Sequence, residues 1–206
     1  RINSDEYLKK ALIIFLVIKI ILFIVGTAGQ FIPEELTNRQ HRSDNILLNP
    51  WTQYDAIAYV DIAQNGYNQD FAEGRGNYGW YPFFPMLILL LSFLGYYASG
   101  FIISNTTSII AVIILYDLVK DEFGDKTAYK TVILLSLFPT AYFFNAIYTE
   151  SIFLLGTLAF FWFMKKERYL EAGIVGFFTA MARTQGVVLF LPALYMYYKK
   201  YNLKLN

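Results

Sequence analysis

Residues 11–27 read Ala-Leu-Ile-Ile-Phe-Leu-Val-Ile-Lys-Ile-Ile-Leu-Phe-Ile-Val-Gly-Thr, an apolar run interrupted only by Lys19. At about 1.5 Å per residue this run and its flanks approach the ~30 Å hydrocarbon thickness of a bilayer, so it reads as a membrane-spanning helix. It carries no small-residue cleavage site as far as Gly29 and is too long for a signal-peptide core, so it reads as an anchor that stays. Arg1, Lys9 and Lys10 precede it and argue for a cytoplasmic N-terminus. Lys19 either snorkels to an interface or pairs within a bundle.

The composition agrees with a membrane protein. The 206 residues are 56% hydrophobic and 19% aromatic, with a mean hydropathy of +0.40, more apolar than a soluble domain of that length. A net charge of +1 gives no reason to expect a nucleic-acid partner. With no Cys, the chain has no disulfide, thiolate metal site or Cys nucleophile. It starts at Arg1 and stops just after an apolar run, which reads as the N-terminal part of a longer membrane protein.

Residues 30–81 are polar, contain Pro33 and Pro50, and are too long for a simple turn, which marks a functional loop. Residues 82–97 reach only about 24 Å, whereas 101–119 span comfortably. Basic residues cluster at 1–10, 120–130, 165–168 and 199–204. If 82–97 crossed the membrane, the 120–130 cluster would lie outside; if it lies along the outer surface, every cluster is cytoplasmic. The second layout is the expected one. It sends 131–145 outward, 151–164 inward, 170–182 outward and 187–198 inward, as short spans that are tilted or broken. The fold class expected is an all-α integral membrane protein, a polytopic helical bundle forming one domain over residues 1–206. Its large first extracytoplasmic loop, 30–100, carries short membrane-proximal helices. Three polar points then meet on the outer face: the loop with Asp55 and Asp61, the break Tyr148-Thr-Glu150, and Arg183-Thr-Gln-Gly186.

On a helix, Trp51, Asp55, Tyr59 and Ile62 would share one face, giving Asp55 aromatic and apolar neighbours that suit a general base. The competing role for Asp55 is a helix cap or a pair with Arg75. Asp61 would project roughly 120° away. Glu150, at a break between apolar segments, is costly there and so a functional candidate. Arg183 interrupts an almost uncharged run and suits a phosphate or pyrophosphate. An ion pair between Glu150 and Arg183 would explain both equally well. Lone His41 reads as a solvated loop residue, and the sequon-like Asn105-Thr-Thr107 sits at a span's edge. Neither a Gly-rich phosphate loop, an Asp-x-Asp nor a Ser/His/Asp set can be assembled, which argues against a cytosolic nucleotide-sugar enzyme.

Several of these stretches, in order, resemble the PIG-V family, the mannosyltransferases of GPI-anchor assembly and their prokaryotic relatives. They are Trp51-x-x-Tyr-Asp55-Ala, Ile62-Ala-x-x-Gly66-Tyr67, Phe83-Phe84-Pro85, Leu115-Tyr116 with Glu122-Phe-Gly124, Phe138-Pro139 with Tyr148-Thr-Glu150-Ser, and Ala182-Arg183-Thr-Gln-Gly186. The resemblance runs from about residue 11 to 198. It implies a GT-C membrane glycosyltransferase that takes a mannose or similar hexose from a polyprenyl or dolichyl phosphate. Transfer would go to a lipid-linked glycan or protein acceptor on the extracytoplasmic side, with inversion, in a plasma membrane or the ER. Asp55 is then the expected catalytic base, Glu150 the second catalytic acid, and Arg183 the site of the lipid phosphate. Trp51, Tyr54, Tyr59, Asp61, Tyr67, Tyr148 and Gln185 are expected to contact substrate, the rings forming an interfacial belt and a sugar-stacking surface. Gln53, Tyr54 and Thr184 depart from the family's usual residues, leaving the subfamily and acceptor open. No cofactor is required by this chemistry, although two facing acids could hold a divalent metal. The partners implied are the polyprenyl-phosphate sugar, a glycan or glycolipid acceptor, and membrane lipid. Competing readings are a transporter or flippase of lipid-linked glycans, and an inactive membrane scaffold; the long acid-bearing loop favours the enzyme.

Overall fold

The computed structural model describes residues 3–33, 43 and 45–200, and among these the chain is helical with no strand. The α-helices are α1 (Ser4–Ala28), α2 (Ala56–Asn65), the single turn α3 (Phe71–Gly74), α4 (Phe83–Leu90), α5 (Tyr96–Phe123), α6 (Asp125–Leu137), α7 (Glu150–Lys165), α8 (Tyr169–Ala182) and α9 (Phe190–Lys200). His41 and Arg1 lie outside the described residues.

Among the described residues two helices are long and apolar enough to cross a membrane: α1 with its short 3₁₀ extension, and α5. At 25 and 28 residues they measure roughly 38 and 42 Å. By contrast α4, with eight residues, is roughly 12 Å long and cannot span alone. It is closed by a 3₁₀ turn, Ser92–Leu94, and by Gly95. Helices α6, α7 and α8 have 13, 16 and 14 residues and reach only roughly 20–24 Å. Two of their connections stay coiled as 3₁₀ helix, Pro139–Phe144 and Thr184–Leu189.

Side-chain bonds sort the helix ends into two groups. At one end Asp125 accepts hydrogen bonds from Ser4 Oγ at 2.7 Å and Tyr116 Oη at 2.8 Å. Lys165 pairs with Glu122 and Lys200 with Glu167, each at 2.8 Å. The starts of α1, α6 and α8 and the ends of α5, α7 and α9 therefore lie together, carrying the described parts of all four basic clusters. At the other end α2, the start of α7 and the end of α8 converge. Gly124 makes the tight reversal between α5 and α6, with φ +81°, where a side chain would be strained.

Within the bundle α5 packs on α6 and α7, α7 on α8, and α1 on α6. Small residues allow close approach, as expected where lipid supplies no hydrophobic drive between helices. Ser99, Ser104, Ser108 and Ala111 line the buried side of α5, and Gly156 of α7 faces Thr179 of α8. Lys19 is buried. Rather than snorkelling, it donates to Ser108 Oγ at 3.0 Å and to the Phe144 carbonyl at 2.8 Å. Asn105 lies inside α5, its amide bonded to the Phe101 and Asn145 carbonyls, so the sequon-like triplet is not on a loop.

Candidate active site

Asp55 is the cap position of α2, and its side chain neither caps the helix nor pairs with Arg75. It is exposed and lines a polar cavity of about 210 Å³ with Tyr59, Gly79, Trp80, Tyr81, Arg183, Thr184 and Gln185. The expected common face of Trp51, Asp55, Tyr59 and Ile62 is not formed. Trp51 ends a separate 3₁₀ turn, Asn49–Trp51, held by Thr52 Oγ1 and Gln53 Nε2 donating to the Asn49 carbonyl at 2.9 Å. Tyr54 then takes φ +54°, and α2 begins only at Ala56. This kink turns the Asp55 side chain to the cavity and the Trp51 ring to the core.

Arg183 follows the last residue of α8 in extended backbone, φ −153° and ψ 144°. The chain then folds back so closely that a Cβ on Gly186 would lie 2.5 Å from the Ala180 nitrogen, so only glycine fits. This reversal aims the guanidinium at the first residue of α7, and Nη1 meets Glu150 Oε1 at 2.5 Å. A helix N-terminus favours the negative charge of Glu150. The other carboxylate oxygen, Oε2, is buried and has no hydrogen-bond partner. The Arg183 side chain remains one-third exposed, at 33%.

The tyrosines divide by environment. Tyr59 is buried, stands edge-on to Phe84 at 5.3 Å, and lies 3.4 Å from the Thr149 hydroxyl. Tyr148 is buried and donates to the Gln53 carbonyl at 3.2 Å. Burial pushes the Tyr59 phenol above its ordinary range, so it stays protonated at neutral pH. Tyr67 is partly exposed, stacks on Tyr78 with centroids 6.1 Å apart, and donates to the Trp80 carbonyl at 2.7 Å. Tyr54 is 82% exposed and does not line the cavity.

Two expected substrate contacts have other roles. Trp51 is fully buried between the rings of Phe23 and Tyr142, with centroids at 5.9 and 5.2 Å, so it presents no stacking face to a sugar. Asp61 accepts the side-chain amides of Asn65, Asn68 and Asn77 at 2.7, 3.1 and 2.7 Å. Its carboxylate is taken up in clasping the loop 65–77 to α2.

Gly79, Trp80 and Tyr81 line the cavity without having been singled out from sequence, and Thr184 donates to Tyr81 Oη at 2.9 Å. A Gly-aromatic-aromatic run, separated from Phe83-Phe84-Pro85 only by Pro82, is the signal that could have marked them. Among the described residues no group of three or more His, Asp or Glu gathers as a metal site would require. A second, apolar cavity of about 400 Å³ lies between α4, α7 and α8, lined by Phe83, Leu87, Ile152, Leu155, Gly156 and Phe178 among others. No family model, curated protein or solved structure matches the chain.

Proposed function

We propose that this chain belongs to a multi-pass GT-C-type membrane glycosyltransferase of the PIG-V kind. In this reading it moves a mannose or similar hexose from a polyprenyl-phosphate carrier to a lipid-linked glycan or protein acceptor on the extracytoplasmic side. The observation that carries the reading is the meeting of Asp55 and the Glu150-paired Arg183 around one polar cavity. An apolar cavity between α4, α7 and α8 supports it, since a substrate with a phosphate, a sugar and a long apolar chain calls for both kinds of surroundings.

The acceptor hydroxyl oxygen attacks the anomeric carbon, and its proton passes to the Asp55 carboxylate. The bond between the anomeric carbon and the phosphate oxygen breaks, its electron pair leaving with the phosphate. Attack from the face opposite the leaving group inverts the centre. Arg183 stabilises the charge gathering on the departing phosphate, and Glu150 aims the guanidinium. Tyr59 and Tyr148 hold the segments around the base in place.

The test is transfer of labelled mannose from polyprenyl-phosphate mannose in membranes carrying the protein. Wild type is expected to incorporate label into lipid or protein, and Asp55→Asn to abolish incorporation while inserting and folding normally. Retained transfer in Asp55→Asn would remove that residue from the mechanism. Movement of the intact carrier across the membrane, without incorporation, would support a flippase instead.

A further inference from the structure

The segment 145–149 is non-helical, yet it is buried throughout between the apolar helices α6 and α7. Buried irregular backbone is tolerated only where protein groups satisfy its polar atoms. Here they come from neighbouring helices. Phe144 O accepts from Lys19 of α1 at 2.8 Å and, over a longer 3.4 Å, from Ser151 Oγ of α7, Asn145 O from Asn105 of α5 at 3.2 Å, and Tyr148 O from Ser104 of α5 at 3.2 Å. The Asn145 amide in turn donates to the Lys19 carbonyl at 3.2 Å, so α1 and the break hold each other reciprocally. From above, the break is fixed to the Asp55 loop, with Ile147 N donating to Trp51 O at 3.1 Å and Tyr148 Oη to Gln53 O.

A lysine in a span is costly, and no carboxylate pairs with Lys19 among the described residues; both of its bonds go to neutral oxygens. An apolar residue would suit α1 better, so the amine's value lies in what it reaches. We propose that Lys19 is a positioning residue: from within α1 it fixes the break at the height where Tyr148 and Glu150 meet the Asp55 loop. Serine and asparagine serve the carbonyls next to α5, whereas the gap from α1 to Phe144 needs a long side chain ending in a donor.

The placement does not depend on the proposed transferase; only its effect on turnover does. The test is amide hydrogen exchange of the full chain in lipid nanodiscs, read at 145–149 and, as a reference, within α6. Lys19→Met, similar in length but without donors, is expected to accelerate exchange at Ile147 and Tyr148 about tenfold while leaving α6 unchanged. Lys19→Arg, which restores long-reach donors, is expected to recover most of the protection. If Lys19→Met fails to insert, Lys19→Gln gives the same measurement with a shorter donor. Unchanged exchange at 145–149, or acceleration spread equally through α6, would overturn the proposal. Where wild type transfers mannose, Lys19→Met should lower kcat and leave the KM for the carrier unchanged; a rise in KM alone would contradict positioning.

Discussion

Asp55 and Arg183 line one cavity at the loop end of the bundle, and Glu150 pairs with Arg183. Glu150 and Arg183 were legible because ionised groups are rare between apolar runs, whereas Asp55 stood out through its aromatic neighbours in a polar loop. Ring direction was not legible. A Trp beside an acid looks like a sugar platform, but the φ +54° turn at Tyr54 sends Trp51 inward. Accordingly, Trp51→Ala should cost roughly 3–5 kcal/mol in a denaturation measurement, as for other fully buried aromatics. Tyr54→Gly should instead raise stability by about 1 kcal/mol, because glycine adopts positive φ without strain. Arg183→Lys keeps the charge but loses the fork, and in the proposed reaction should lower kcat about tenfold or more. An unchanged kcat would leave Arg183 with the ion pair alone.

Helices were easier to foresee than the pieces joining them. Long apolar runs marked α1 and α5, and the basic clusters correctly grouped the helix ends, because charge follows solvent and not local propensity. The short run 82–97 was marked as unable to span, and it holds the eight-residue α4. The 3₁₀ stretches 139–144 and 184–189 were not marked, since their apolar residues look the same in any coiled state. At the α5–α6 reversal, Gly124→Ala should destabilise by about 1 kcal/mol or more, measured by thermal unfolding in detergent. The neighbouring Asp125 gives a pH signature. Hydrogen bonds from Ser4 and Tyr116 hold its carboxyl below the usual carboxylate range. Its folded pKa is thus lower than the unfolded value of about 3.9, so the clasp contributes fully above that pH and is lost as pH falls through the folded value. Asp125→Asn should therefore lose less thermal stability than wild type on acidification from about pH 5 to pH 2. Equal losses would mean the clasp adds nothing.

For the molecule as a whole, two helices among the described residues are long and apolar enough to cross a membrane, and the proposed function adds that the loop end faces away from the cytoplasm. The absence of Cys makes this directly testable, because any introduced thiol is unique. Gln64→Cys on α2 and Lys126→Cys on α6 are both exposed and belong to opposite ends. In intact cells an impermeant maleimide should label the first, and the second only after permeabilisation; the reverse pattern would turn the proposed site toward the cytosol. Bundle assembly also sets an order of events during synthesis. The carbonyl that receives the Lys19 amine lies 125 residues further along the chain. At about 5–20 residues per second, the ribosome needs roughly ten seconds to supply it. Throughout that interval α1 carries an unmet donor, so the nascent chain must stay beside the translocon, or beside water, until the break has emerged.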